Sequence, residues 1–154
     1  MLDLLKFKIT DEDQINKVWN NDLLEYVGKS ERLYIDEIKE KQLLIDKIVE
    51  AMQDTKGEDI LIFDLSQIEN SVAQTFIICS GNSNTQVSAI AGNIEKKVRN
   101  DLQDRPWHVE GNENALWVLL DYVSVVVHVF QRETREYYDI EELWGDAKIT
   151  KIEN

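Results

Sequence analysis

"TFIICSGNSNTQVSAIAGNIEKKVRNDL", residues 75–102, decides the fold. Its opening "TFIICSG" is an apolar run short enough to be a buried strand and closed by a glycine. Ser83 and Gln86 then stand at capping-box spacing, and Val87, Ile90, Ala91, Ile94 and Val98 recur on one helical face. A strand fed directly into an amphipathic helix predicts a crossover connection, and a crossover allows a parallel strand pair.

Working outward, "LLIDKIVEAMQD" (43–54) sets Leu44, Ile48, Ala51 and Met52 on one helical stripe, with Lys56-Gly57 as the stop. "DILIFDL" (59–65) is a second short apolar run bounded by polar turns. After the single proline, "PWHVEG" (106–111) reads as a short strand, and "ALWVLLDYVSVVVHVF" (115–130) reads as a hairpin. The order is helix, strand, strand, helix, three strands, then short helices. This predicts an α/β domain, residues 43–154, with a mixed β-sheet flanked by helices. Residues 1–42 mix charge clusters such as "TDEDQ" and "DEIKEK" with brief apolar groups, which predicts an N-terminal extension, helical or partly disordered.

At 154 residues with 43% apolar content the chain suits one ordinary core. It has no apolar run near the ~20 residues that span a bilayer. "MLDLLKFKIT" is too acidic and too briefly apolar for a secretory signal, so a cytoplasmic protein without a membrane role is expected. The lone Cys79, inside an apolar strand, reads as a core thiol. Thirty acidic against seventeen basic side chains give a net charge of −13. That disfavours direct nucleic-acid binding by counterion release. Between Glu110 and Asp146 nine carboxylates face only Arg132 and Arg135, a surface suited to a basic protein.

A two-residue hairpin loop at Tyr122-Val123 places Asp121 opposite Ser124. Leu116, Val118, Leu120, Val125, Val127 and Val129 then share an aliphatic core face. Trp117, Leu119, Asp121, Val126, His128 and Phe130 share the other, with Trp117 directly across from His128. A face this mixed is expected beneath a cover, either the chain's own terminal helices or another molecule.

Catalytic signals are few. His128 reads as a hydrogen-bonded structural histidine in preference to a base or ligand. His108 is twenty residues away with no cysteine or carboxylate at ligand spacing, so no metal site is expected. "SGNSNTQ" (80–86) lacks the lysine and glycine density of a phosphate loop, leaving Ser83 as a helix cap. The nearest approach to a paired-carboxylate motif is Asp139-Ile140-Glu141, but Asp139 with Glu142 fits a capping box.

These stretches together resemble the ribosomal silencing factor (Iojap-related) family across residues 43–150. The matching pieces are Asp64-Leu65-Ser66, "FIICSGNS" (76–83), Glu110-Gly111, "WVLLDY" (117–122), "VVHVF" (126–130), "REYY" (135–138) and "LWGD" (143–146). The resemblance implies a nucleotidyltransferase-like fold without catalytic carboxylates or cofactor, hence no enzyme. It implies binding to large-subunit ribosomal protein fourteen, which blocks subunit joining and represses translation under nutrient limitation. It also suggests a homodimer. The family's contact surface maps here to Trp117, Asp121, Tyr122, His128, Phe130, Arg135, Tyr138, Leu143 and Trp144. The alternative is a nucleotidyltransferase-like enzyme acting on a nucleotide or RNA end. Two departures stand out: Val123-Ser124 replaces the family's glycine-containing hairpin turn, and residues 1–42 have no counterpart in the pattern.

Overall fold

A computed structural model describes residues 25–153 apart from 70 and 72. The chain divides into two compact units, Met1–Leu43 and Leu44–Asn154, and the sheet belongs to the second. Helix α1 (Glu25–Asp54) begins well before Leu43, where the regular apolar period starts. Beyond Gly28 the segment is free of proline and glycine and rich in Glu, Lys and Leu, so propensity carries the helix where periodicity is weak. The expectations for residues 1–24 lie outside the described residues.

Lys56, not Gly57, takes the left-handed conformation that ends α1, with φ 62°. The Gly57 N–H donates to the Met52 carbonyl at 2.7 Å. A Cβ on Gly57 would lie 3.1 Å from that oxygen and 3.4 Å from Cys79 Sγ, so close packing explains this glycine.

The strands are β1 (Glu58–Asp64), β2 (Thr75–Gly81), β3 (His108–Glu110), β4 (Trp117–Asp121), β5 (Val125–Gln131) and β6 (Lys148–Lys151). They form one sheet in the order β3-β4-β5-β2-β1-β6. Among the described strands only β2 and β5 run parallel, joined through α2 (Asn84–Leu102) and the β3–β4 pair, as the crossover requires. Ser83 caps α2 by accepting from the Gln86 N–H at 3.1 Å, while Gln86 Oε1 accepts from the Asn82 N–H.

The hairpin differs from expectation. Tyr122 donates to the Val125 carbonyl at 2.9 Å, so the loop is Val123-Ser124. Trp117 pairs with Phe130, and His128 pairs with Leu119. The turn places Val123 at φ 76°, with Ser124 N–H bonded back to the Tyr122 carbonyl. Asp121 supports it by accepting from the Val123 N–H at 2.8 Å. The register is displaced by two residues, an even number, so each side chain keeps its expected face. Leu116 is the exception: it precedes β4 and is exposed.

One sheet face is aliphatic and sealed. Val118, Leu120, Val125, Val127 and Val129 pack there with Ile48, Ala51 and Met52 of α1 and Val87, Ile90, Ile94 and Val98 of α2. The other face carries Phe63, Phe76, Ile78, Val126 and Phe130, flanked by Trp117 and Leu119. Two short helices, α3 (Arg132–Tyr138) and α4 (Ile140–Leu143), supply its cover, with Ile140 and Trp144 packed against it. Asp139 between them is left-handed at φ 45° and makes no side-chain cap bond, so the expected capping box with Glu142 does not form. Its N–H instead closes α3 on the Arg135 carbonyl, which uses Asp139 as a helix stop.

Candidate functional site

The aromatic residues of the second face gather around Trp117. Its ring stacks on Phe130 at 4.7 Å between centroids and 27° between planes, because the two are cross-strand partners. Tyr138, at the end of α3, lies against it from the solvent side at 5.1 Å. Phe76 on β2 extends the cluster, meeting His128 edge-on at 4.7 Å and Trp144 at 5.7 Å.

His128 sits beneath this layer, only 4% exposed. Its Nδ1 accepts from Trp117 Nε1 at 3.1 Å, which assigns the ring proton to Nε2. Burial pushes its pKa down to about 4, so the imidazole is neutral near pH 7 and acts as an acceptor that aims the indole. Nε2 makes no hydrogen bond among the described residues.

The residues expected at the contact surface therefore occupy different depths. Tyr138 and Leu143 are exposed, at 55% and 74%, while Trp117 and Trp144 are half-buried. Phe130 and His128 are buried and support them from below. Asp121 is half-buried and engaged in the turn. Tyr122, one residue on, points to the opposite face and packs in the aliphatic core, so the structure does not bring it into the cluster. Arg135 is buried and bonded within the chain.

Tyr137 belongs beside these residues and was absent from the expected set. It is 81% exposed and meets Tyr138 edge-on at 5.1 Å. Its signal was present in the adjacent tyrosines of "REYYD", but a seven-residue helix shows too little periodicity to tell which tyrosine faces outward. On α3 and α4 and the residues that adjoin them, Glu133, Glu136, Asp139, Glu142 and Asp146 are exposed. Half-buried aromatics on a segment that carries exposed carboxylates are suited to docking a protein surface that carries positive charge.

The chemistry elsewhere is quiet. Cys79 is fully buried and its thiol is pushed up to about 12 by burial, which keeps it from acting as a thiolate. Among the described residues, no group of three or more His, Cys, Asp or Glu side chains could hold a metal ion. A cleft of about 380 Å³ opens near the carboxyl ends of β2 and β5, between Ser80, Arg132, Glu136 and Lys151. Arg132 is already paired there with Glu58 and Asn82.

Comparison with known proteins fits this arrangement. The family described as "Ribosomal silencing factor during starvation" matches residues 37–154. Ribosomal silencing factor RsfS of Halalkalibacterium halodurans is 42% identical over 112 residues, covering 73% of this chain and 94% of that protein. The protein of the same name from Bacillus subtilis is 44% identical over 104 residues, covering 67% and 86%. A crystal structure from Chromobacterium violaceum superposes with a TM-score of 0.64 at 39% identity, covering 73% of this chain and 92% of that one. A six-stranded mixed sheet with these helices, and matches of this extent across it, place the chain in the ribosomal silencing factor family.

Proposed function

We propose that this protein represses translation by seating its aromatic surface on large-subunit ribosomal protein fourteen, which keeps the small subunit from joining. The observation that carries this reading is the aromatic cluster of Trp117, Tyr138 and Trp144, incompletely covered by its own chain, with Leu143 exposed next to Trp144 and exposed carboxylates on the same two helices. Aromatic side chains at the centre of an interface are the usual anchors, and rim charge steers the approach of an oppositely charged partner. Phe130 and His128 act in this reading as support, Asp121 as the turn that holds the hairpin, and Trp117, Tyr137, Tyr138, Leu143 and Trp144 as contacts.

The action is steric and not enzymatic, on a nucleotidyltransferase-like scaffold, and it takes place in the cytoplasm where the subunits meet. Without a ribosome, two copies cover each other's aromatic surface as a homodimer. The test is sedimentation of purified subunits at limiting magnesium with increasing amounts of the protein. Loss of the joined ribosome, with the protein travelling on the large subunit alone, is expected. Undiminished subunit joining with the protein at saturating concentration would overturn the reading.

A further inference from the structure

Arg135 is buried, and the groups around it are not those of a contact residue. Its Nη1 donates to the Asp59 carbonyl and to Ser80 Oγ, both at 2.8 Å, and its Nε donates to Glu141 Oε1. A single side chain on α3 thus reaches β1, β2 and the first turn of α4. Its position along the chain is equally telling. Tyr138 lies three residues beyond Arg135 on α3, and Trp144 lies three residues beyond Glu141 just after α4. One helical turn separates each member of the ion pair from one aromatic of the docking surface. Tyr138 is set against Trp117, and Trp144 against Phe76.

Helices of seven and four residues are far below the length that holds itself together in water. Their geometry has to come from tertiary contacts. Between them stands Asp139 in the left-handed region, so the bend has no support from a side-chain cap. We propose that the Arg135–Glu141 pair, seated on Asp59 and Ser80, is a positioning clamp: it touches no partner, yet it fixes where Tyr138, Leu143 and Trp144 stand for docking. This inference rests on the docking role proposed above. It reassigns Arg135, and it gives Glu141 a part that an acidic rim residue would not have.

The clamp is outside the aliphatic core, so it can be loosened while that core persists. The experiment uses the full chain with Glu141→Ala, Arg135→Gln and Arg135→Lys. Hydrogen exchange is read separately over residues 132–144 and over β2 and α2, and binding is read by co-sedimentation with purified large ribosomal subunits. For Glu141→Ala the expected result is amide exchange at least about tenfold faster in residues 132–144, unchanged exchange in β2 and α2, and binding weaker by about tenfold or more. Arg135→Lys keeps the charge and one donor direction and is expected to recover part of both effects, which Arg135→Gln does not. Faster local exchange with unaltered binding would reduce the pair to a structural contact and overturn the proposal. Unaltered exchange would show that the pair holds nothing. Should Arg135→Gln fail to fold, Glu141→Ala decides, since Glu141 is partly exposed. Wild-type protein that does not sediment with large subunits defeats the docking role itself, and the positioning role with it, even where the exchange result stands.

Discussion

Phe130→Ala and Tyr138→Ala should separate support from contact, although both remove a ring that lies against Trp117. Phe130 is fully buried, stacked on Trp117 at 4.7 Å and nearly parallel to His128 at 6.1 Å. Truncating a buried phenylalanine costs ~3–5 kcal/mol, the sum of lost transfer energy and the cavity left behind. Against a typical total of ~5–15 kcal/mol this is a large share, and for a domain of this size it corresponds to a fall in Tm of roughly 10–25 °C. Tyr138 lies tilted against the indole at 5.1 Å, meets only the exposed Tyr137 besides among these rings, and is more than half exposed. Its loss should cost the fold about 1 kcal/mol or less. At an interface centre the same truncation should cost ~2 kcal/mol, near thirtyfold in Kd. The assays are thermal unfolding by circular dichroism and co-sedimentation with large subunits, each variant in both. Wild-type melting of Phe130→Ala would refute the packing argument for this face. A Tyr138→Ala protein that binds like wild type would remove the exposed end of α3 from the docking surface.

Three further outcomes follow from particular groups. His128 has a pKa lowered from 6.5 to about 4 by burial, so the unfolded chain binds the extra proton first; stability should be flat above pH ~6.5 and fall by up to ~3 kcal/mol as the pH drops to ~4. Urea unfolding of His128→Gln should show a shallower fall over that window, and an identical slope would place the pH dependence elsewhere. Val123→Gly should raise stability by about 1 kcal/mol, because a β-branched residue is held at φ 76°, and no gain in Tm would show that the turn carries no strain. Glu136→Lys with Glu142→Lys, both exposed, should slow association with the large subunit as added salt does and change the dissociation rate little; association indifferent to both would make the acidic rim a solvated face.

The sequence carried most of the fold because its strongest signals were local. Ser83 and the Val87–Val98 stripe specify α2, and "TFIICSG" specifies a strand, without reference to anything distant. The faces of the hairpin were legible for the same reason: alternation survives a register displaced by two. The register itself was not, since Tyr-Val-Ser offers none of the turn chemistry that fixes a loop, and Val123 adopts a conformation usually left to glycine. Depth within the candidate site was illegible for a different reason. Whether Phe130, His128 and Arg135 face solvent depends on how α3 and α4 fold back over the sheet, and that depends on contacts such as Arg135 with Asp59, 76 residues away in sequence. Asp139 shows the limit most directly. Its spacing to Glu142 satisfies a capping rule, but the helix before it needed a left-handed stop, and that need prevailed.

In the proposed function the two faces of the sheet divide stability from recognition, and helix length is what divides them. The aliphatic face is covered by the 19-residue α2 and the later turns of α1, which bury Val87, Ile90, Ile94 and Val98 completely. The aromatic face is covered by a seven-residue and a four-residue helix that leave Trp117 and Trp144 half-exposed. A longer cover would have sealed the indole and removed the proposed docking surface; a shorter one would have left Phe76, Phe130 and His128 in water. What makes the short cover adequate is that aromatic stacking and the Trp117–His128 hydrogen bond hold the indole, while Arg135 ties α3 to Glu141 of α4 and to β1 and β2. The surface proposed for docking is thereby held at its base and incompletely covered at its top. That combination lowers the ordering cost of docking without satisfying the surface beforehand.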